Sequence, residues 1–332
     1  MNSDVLLFII GLIVLVGGGE LLVRSASRLA VAAGLSSLVI GLTIVAVGTS
    51  APELAVGAAG AYVGKVDAGF GNVIGSNIFN ILCVLGLVAL FSSPAVEKRS
   101  LRFDIPFMIA ASVATWIFVS DYRISHFEAA LLFAAAVAFL IVNFLLVRRE
   151  AATNRTNRRR SESSHKERSA KYITVEVALL LAGVIALGLG AHWVVKGATG
   201  LARAFGMSEL LIGLTLIAGG TSLPELVTSL VAVRRGEKDI AVGNIFGSCI
   251  FNVLVVLPVM AALTTGDMEF SSGAALFDVP VMVAAAVACI PLAISGRRVS
   301  KAEGAGLLVF YIGYIAVIFA KYNIPDSALS SG

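Results

Sequence analysis

Ten apolar runs, each close to the length of a transmembrane helix, constrain this sequence more than any other feature. A helix needs about 20 apolar residues to cross the roughly 30 Å hydrocarbon core of a bilayer. The runs cover residues 4–30, 36–62, 69–91, 104–120, 126–147, 172–198, 208–233, 239–263, 274–295 and 303–320. They predict an all-α polytopic membrane protein with ten transmembrane helices.

The composition is that of a membrane protein. Of the 332 residues, 58% are apolar and 14% are charged, whereas a soluble domain has about 45–50% apolar and about 25% charged residues. The three cysteines lie in apolar runs without the spacing of a metal site or a disulfide framework, and the three histidines form no HExxH pattern. We therefore expect a protein that holds no cofactor and is surrounded by a lipid bilayer.

One polar segment divides the apolar runs into five and five. Residues 148–171 read "RREAATNRTNRRRSESSHKERSAK", with nine Lys or Arg against three Glu and no apolar periodicity. This composition is typical of a mobile linker. The sequence therefore predicts two five-helix halves, residues 1–147 and 172–332, joined by a basic cytoplasmic linker at 148–171. We expect no nucleic acid as a partner, because topology already explains the positive charge.

The positions of Lys and Arg predict the orientation in the membrane. Cytoplasmic loops carry an excess of these residues, and a cytoplasmic linker puts 20 of the 25 on the inner side. Both termini are then outside. No Lys or Arg precedes the first apolar run, so that run is interpreted as a retained helix and not as a cleaved signal. We expect the chain in the inner membrane of a bacterium or an archaeon.

Two polar motifs inside the apolar runs occur twice. "GLTIVAVGTSAPEL" at 41–54 matches "GLTLIAGGTSLPEL" at 213–226 at ten of fourteen positions. "GNVIGSNIFN" at 71–80 matches "GNIFGSCIFN" at 243–252 at seven of ten, with the same offset of 172. Because each half has an odd number of helices, the two repeats are inverted in the membrane. Inverted repeats with broken, polar helices are a signature of secondary transporters.

The first motif combines a proline with oxygen-bearing side chains. Proline lacks an N–H and clashes with the carbonyl four residues back, so Pro52 and Pro224 predict breaks around 46–50 and 218–222. Backbone carbonyls freed inside a membrane need a partner, and a cation is one. The side chains that add oxygen in this motif are Thr49, Ser50, Glu53, Thr221, Ser222 and Glu225.

The second motif adds serines and amides at helical spacing. Ser76 and Asn80 are four residues apart and share a helix face, as do Ser248 and Asn252. Convergence of the two repeats would give an all-oxygen site, which suits hard cations such as Ca²⁺. Serine, threonine and glycine in membrane helices also have purely structural roles, but an intramembrane carboxylate is a functional candidate by default.

Two aspartates of the apolar runs have a structural interpretation. Asp104 and Asp278 each stand two residues before a proline at the start of a span. This position is typical of a helix N-cap. We therefore predict capping roles for both.

The four motif copies resemble those of the cation/calcium antiporter superfamily, and within it the prokaryotic sodium/calcium exchanger family. The resemblance extends over essentially the whole chain. It implies a rigid core of eight helices, past which the first and sixth slide, with Gly17–Gly19, Gly183, Gly188 and Gly190 suiting close contact. It also implies one site that binds either Na⁺ or one Ca²⁺. The implied ligands are Glu53, Glu225, Thr49, Ser50, Thr221, Ser222, Ser76, Ser248, Asn80, Asn252 and the carbonyls of Ala46 and Ala218.

One position departs from some members of that family. Asn252 stands where some microbial and potassium-dependent relatives carry Asp, so the two glutamates alone give the site a fixed charge of −2. One Ca²⁺ would make the loaded site neutral. We therefore expect Na⁺/Ca²⁺ antiport in which the two ions compete for this site, and the Asn argues against potassium dependence.

Three other functions are less consistent with these motifs. Proton-coupled calcium antiporters tend to carry a glutamate just after a Gly-Asn pair, but Val73–Ile74 and Ile245–Phe246 follow here. An intramembrane enzyme would need a nucleophile–base pair or a metal centre, and no such set is visible in the sequence. A channel would not need inverted repeats, which instead favour alternating access. Proton-coupled antiport remains the main alternative, and no obligate protein partner is evident.

Overall fold

The structure, a computed structural model, describes residues 2–158, 170–205, 207, 219–271 and 273–323. These residues are helical almost throughout. The helices are α1 (Asn2–Ala33), α2 (Ser37–Thr49), α3 (Ala51–Tyr62), α4 (Val66–Ser92), α5 (Ile105–Phe118), α6 (His126–Arg158), α7 (Ala170–Ala204), α8 (Leu223–Arg234), α9 (Lys238–Leu263), α10 (Val279–Ile294) and α11 (Lys301–Asn323).

Most of these helices can cross a membrane. Among the described residues, eight are long and apolar enough, or nine if α2 and α3, which meet at a bend of 43°, count as one broken span. The predicted number of ten is not confirmed, because part of the span expected at 208–233 lies outside the described residues. The architecture is that of a polytopic helical membrane protein.

The described chain also contains one short β-ladder, which the all-α prediction missed. Strand β1 (Arg123–Ile124) pairs antiparallel with strand β2 (Met268–Glu269). A strand of two residues is too short to produce an alternating pattern in the sequence. The ladder joins the loop after α5 to the loop after α9.

The described residues contain five π-helical turns, inside or directly before regular helices. Three lie inside helices, at Gly41–Val45 of α2, Phe79–Val84 of α4 and Asn252–Val256 of α9. The other two, Ser100–Asp104 and Ala274–Asp278, lead directly into α5 and α10. Such turns often occur at functional sites, and those of α4 and α9 include Asn80 and Asn252.

The predicted N-cap roles of Asp104 and Asp278 are wrong. An N-cap residue has extended dihedral angles, but both aspartates have right-handed helical angles and make no capping hydrogen bond, because a π-helical turn precedes each. Asp278 instead accepts a hydrogen bond of 3.0 Å from the hydroxyl of Tyr314.

Capping boxes begin α6 and α11. The backbone N–H of Glu128 donates to the Ser125 hydroxyl at 3.2 Å, and the N–H of Ser125 donates to the Glu128 carboxylate at 2.9 Å. Ser300 and Glu303 repeat this arrangement at 3.3 Å and 2.7 Å. The S-x-x-E spacing was the visible signal for both helix starts.

The two long helices α1 and α7 pack directly on each other through glycines. A Cβ added to Gly18 would lie 2.7 Å from the backbone nitrogen of Leu187, and one added to Gly190 would lie 2.5 Å from that of Leu15. No described atom lies within 4 Å of such a Cβ at Gly17 or Gly188. The predicted close contact is therefore present at Gly18 and Gly190 but not at Gly17 and Gly188, and most of it joins the two long helices to each other and not to the helices of the expected core.

A second glycine contact brings the broken helix α2 against α9. A Cβ at Gly243 would lie 2.6 Å from the carbonyl oxygen of Leu38, and one at Gly247 would lie 2.5 Å from that of Leu42. The structural role allowed for glycine in membrane helices thus holds for Gly243 and Gly247, whereas no described atom lies within 4 Å of an added Cβ at their counterparts Gly71 and Gly75. This crossing positions the end of α2, with Thr49 and Ser50, next to the polar face of α9.

Candidate cation-binding site

The first motif breaks its helix at Ser50, as the proline predicted. Ser50 has φ −84° and ψ 7°, and Pro52 lies in the first turn of α3. Ser222 has nearly the same angles, φ −89° and ψ 5°, with Pro224 in the first turn of α8. Each break leaves a serine at the helix start and a glutamate in the first turn.

Glu53 and Glu225 are fully buried, and each binds a serine of the other half. The hydroxyl of Ser222 donates to Oε1 of Glu53 at 3.0 Å. The hydroxyl of Ser50 donates to Oε1 of Glu225 at 2.9 Å. These reciprocal hydrogen bonds bring the two copies of the first motif together.

A serine of the second motif completes each arrangement. Ser76 of α4 donates to Oε1 of Glu53 at 3.2 Å, and Ser248 of α9 donates to Oε1 of Glu225 at 3.4 Å. Ser222 and Ser76 are also 2.9 Å apart. We call the six residues Glu53, Glu225, Ser50, Ser222, Ser76 and Ser248 the carboxylate cluster.

The second oxygen of each carboxylate has no protein partner among the described residues. Oε2 of Glu53 and Oε2 of Glu225 are both buried and accept no hydrogen bond there. Burial of an unpaired charged oxygen is costly, and a cation bound between the two carboxylates would remove that cost. The donor set around it is hydroxyl and carboxylate oxygen, which is the set that hard cations prefer.

The two threonines of the first motif lie beside the carboxylate cluster. The hydroxyl of Thr49 donates to Oδ1 of Asn244 at 2.9 Å, and that of Thr221 donates to Oδ1 of Asn72, also at 2.9 Å. The sequence reasoning missed both asparagines. A signal was present, because they belong to the repeated Gly-Asn pair and precede Ser76 and Ser248 by one helical turn.

The predicted amide ligands lie on α4 and α9. Asn80 is fully buried, and apart from a contact with the Cys249 thiol its amide has no hydrogen-bond partner among the described residues. Nδ2 of Asn252 donates to Oδ1 of Asn77 at 3.1 Å, and Asn77 in turn donates to the carbonyl of Cys249 at 3.1 Å. The repeat positions Asn77 and Cys249 therefore meet where the two helices cross.

The predicted carbonyl ligands have different outcomes. The carbonyl of Ala46 accepts a hydrogen bond from the backbone N–H of Ser50 at 3.0 Å. The Thr49 hydroxyl lies 3.3 Å from the same carbonyl, but its single proton has the shorter contact, 2.9 Å, with Oδ1 of Asn244. The Ala46 carbonyl is therefore not freed by the break, although it points towards the same end of α2. Ala218 lies outside the described residues.

Burial differs between the two sides of the cluster. Thr49 and Asn244 are fully buried, whereas their repeat counterparts Thr221 and Asn72 are partly exposed. Two threonine–asparagine pairs with the same hydrogen bond thus differ in burial, and the Thr221 side of the cluster is the less buried one.

Known proteins share both the sequence pattern and this architecture. The pattern of the family described as "Sodium/calcium exchanger protein" matches residues 3–145 and 175–320. The chain belongs to the sodium/calcium exchanger protein family.

Individual relatives of this exchanger family member match along nearly its whole length. CaxA of Alkalimonas amylolytica, described as an antiporter, is 36% identical over 94% of this chain and 98% of its own. The sodium/calcium exchanger MaX1 of Methanosarcina acetivorans is 31% identical over 96% of this chain and 99% of its own. A structure of the sodium-calcium exchanger NCX_Mj, soaked without Na⁺ and Ca²⁺, superposes with a TM-score of 0.79 at 28% identity, covering 95% of this chain and 98% of the other.

Proposed function

We propose that this exchanger family member carries Ca²⁺ across the membrane in exchange for Na⁺, with both ions binding at the carboxylate cluster. The observation that carries the proposal is the pair of buried carboxylates whose second oxygens have no partner in the described residues. Membership of the family and the likeness to named exchangers support the choice of ions.

The charge of the site favours competition between the ions. Glu53 and Glu225 are its two carboxylates, and the serines around them are neutral. One Ca²⁺ would balance two negative charges, and so would two Na⁺. Electrostatic interactions are strong in a low-dielectric interior, so occupation by one kind of ion should oppose occupation by the other.

The ligand set that we propose is the one expected from the sequence. It comprises the carboxylate cluster, the hydroxyls of Thr49 and Thr221, the amides of Asn80 and Asn252, and the carbonyls of Ala46 and Ala218. In support, Oδ1 of Asn252 is buried without a hydrogen-bond partner among the described residues. The Ala46 carbonyl oxygen keeps a lone pair for an ion as long as the Thr49 hydroxyl donates its proton to Asn244.

We further propose that ten helices form two inverted five-helix halves, residues 1–147 and 172–332, with the linker at 148–171 in the cytoplasm. Two features support this division. The family pattern matches each half separately. Capping boxes and π-helical turns also recur at corresponding positions of both halves. In that topology Thr221 and Asn72 lie towards the outside, so the less buried side of the cluster would face out.

Transport in proteoliposomes tests the function. Vesicles that contain the purified protein should take up ⁴⁵Ca²⁺ when an outward Na⁺ gradient is imposed, and not when the gradient is absent. Failure of the Na⁺ gradient to drive uptake would contradict the proposal. Uptake driven by a pH gradient without Na⁺ would instead support the proton-coupled alternative.

A further inference from the structure

Asn72 and Asn244 stand one helical turn before the cluster serines and were not among the expected ligands. Each accepts the hydroxyl proton of a threonine from the other half, Thr221 and Thr49 respectively, at the same distance of 2.9 Å. A hydroxyl has one proton and two lone pairs. A threonine that donates its proton to asparagine therefore keeps both lone pairs for other partners.

The amide of Asn244 is fixed in the orientation that accepts this proton. Its Nδ2 donates to the Ser229 hydroxyl at 3.1 Å and to the backbone carbonyl of Glu225 at 3.4 Å. A flipped amide would turn N–H groups towards Thr49 and an oxygen towards the Glu225 carbonyl. In the flipped state the Ser229 and Thr49 hydroxyls could reverse their hydrogen bonds, but the bond to the Glu225 carbonyl would be lost and two carbonyl oxygens would face each other.

This network links Thr49 to the carboxylate itself. Asn244 contacts the backbone of Glu225 and the side chain of Thr49, and Thr49 lies 3.4 Å from Ser248, which donates to Glu225. All of these groups are fully buried. A change at Asn244 therefore changes the direction of a hydroxyl at the edge of the site, where burial prevents bulk solvent from replacing the acceptor.

The two halves differ in how firmly the asparagine is held. Ser229, the orienting partner of Asn244, corresponds to Gly57 in the first half. Nδ2 of Asn72 has no hydrogen-bond partner among the described residues, and Asn72 is partly exposed. Asn244 is therefore the more rigid of the two acceptors.

We infer that Asn72 and Asn244 are positioning residues for the exchanged cations. Each turns a threonine proton away from the site so that the hydroxyl oxygen faces the ion. This inference rests on the proposed function and deepens it, because it assigns the strength of Ca²⁺ binding in part to two residues outside the proposed ligand set.

A double-mutant cycle tests the inference at the buried pair. Asn244→Leu removes the acceptor at similar volume, and Thr49→Val removes the hydroxyl. Loss of one well-placed ligand should raise the apparent KM for Ca²⁺ about tenfold in either variant, with a smaller change in kcat. Because both substitutions remove the same contribution, the double variant should also show about a tenfold increase, and not about a hundredfold one.

A second background separates positioning from packing. Thr49→Ser keeps the hydroxyl, so Asn244→Leu should still raise the KM of that variant, whereas it should not raise the KM of Thr49→Val. Ser229→Ala, which removes only the orienting partner, should give an intermediate increase. Thr115→Val is the control and should leave the KM unchanged. Thr115 is also a buried threonine, but its hydroxyl donates to the carbonyl of Ala111 in its own helix at 3.0 Å.

The outcomes are distinct. Multiplicative effects in the double variant, or a KM for Asn244→Leu within about twofold of the wild type, would overturn the inference. If Asn244→Leu does not fold, Asn72→Leu with Thr221→Val provides the same cycle at the partly exposed pair. Absence of Na⁺-driven uptake by the unaltered protein would overturn the proposed function itself, and ⁴⁵Ca²⁺ binding at equilibrium would then still report whether the asparagines affect ion affinity.

Discussion

The burial of a carboxylate within a membrane helix has a large desolvation cost. Serine hydroxyls offset part of that cost for both Glu53 and Glu225. Each receives two serine hydroxyls at one oxygen and leaves the other without a partner in the described structure. Four neutral donors shared between two buried carboxylates do not neutralise their charge. At the scale of single residues, these contacts support the proposed cation site.

Replacement of either glutamate by glutamine should abolish exchange. Glu53→Gln or Glu225→Gln removes one of two fixed charges and should lower Na⁺-driven ⁴⁵Ca²⁺ uptake by about a hundredfold or more. The reason is that a carboxylate and the cation bound to it form a buried charge pair, and loss of one partner of such a pair costs about 2–5 kcal/mol. Uptake in proteoliposomes and elution from size exclusion together measure activity and folding.

The matched control for this prediction is Glu269→Gln, which alters an exposed carboxylate in the β2 strand. It should leave uptake unchanged. Near wild-type exchange by either buried variant would show that the cluster does not carry the ions.

At the scale of elements, helices are broken where polar groups must reach the site. The prolines end regular hydrogen bonding at Ser50 and Ser222, and π-helical turns in α4 and α9 begin at or just before Asn80 and Asn252. The glycine crossing of α2 with α9 then brings these interrupted segments together. The geometry of the proposed site depends as much on that close crossing as on the oxygen-bearing side chains.

A methyl group at this crossing should therefore be harmful. In Gly243→Ala the new Cβ would lie 2.6 Å from the Leu38 carbonyl oxygen, so α2 and α9 must separate. We expect a loss of about 1–3 kcal/mol in stability and a higher KM for Ca²⁺, measured by thermal unfolding in detergent and by uptake.

Gly313→Ala offers the comparison for that substitution. Gly313 is exposed in α11, and no described atom lies within 4 Å of an added Cβ. Alanine is the better helix former by about 1 kcal/mol, so this variant should be as stable as the wild type or more so. Equal effects of the two substitutions would argue against the crossing as the cause.

At the scale of the whole molecule, α1 and α7 form a closely packed pair beside the remaining helices. Gly18 and Gly190 bring their backbones together, and the contacts of the pair with the rest include an ion pair of Glu20 with Arg235 and a hydrogen bond from Ser27 to Glu237. If alternating access requires the long helices to slide, they should move together, and these polar contacts should break and reform.

Neighbouring glycines allow a matched test of that pair. Gly190→Ala places a Cβ 2.5 Å from the Leu15 backbone nitrogen, whereas Gly188→Ala places one in open space on the same helix. Gly18→Ala and Gly17→Ala form the same contrast on α1. We expect Gly18→Ala and Gly190→Ala to lower uptake about tenfold or more, because overpacking costs about 1–3 kcal/mol. Gly17→Ala and Gly188→Ala should leave uptake unchanged.

The proposed topology can be tested by labelling single cysteines. In a background without Cys83, Cys249 and Cys289, Ser163→Cys in the linker should react with a membrane-impermeant maleimide only from the cytoplasmic side. Ser327→Cys near the C-terminus should react only from the outside. Reaction of both cysteines from the same side would mean that an even number of spans separates the linker from the C-terminus. That result would contradict the proposed five spans of the second half.

The sequence by itself determined the class of the protein and most of its candidate ligands. The length of the apolar runs and the repeated motifs can each be recognised from a short stretch of sequence. A membrane requires helices of a given length, and a carboxylate inside an apolar run is a functional candidate by default. The break at Ser50 followed from Pro52 alone. The capping boxes at Ser125 and Ser300 were equally local and could have been predicted.

Only the tertiary structure decided which groups meet. Ser50 binds Glu225 across 175 residues of chain, and Asn244 accepts from Thr49 across 195, so no local pattern could pair them. The glycines of α1 and α7 were visible in the sequence, but their partners were not. A glycine permits another backbone to come close, but its presence does not identify the segment that does so. Hydrogen bonds between distant segments depend on the crossing of helices, and that crossing is set by packing over the whole molecule.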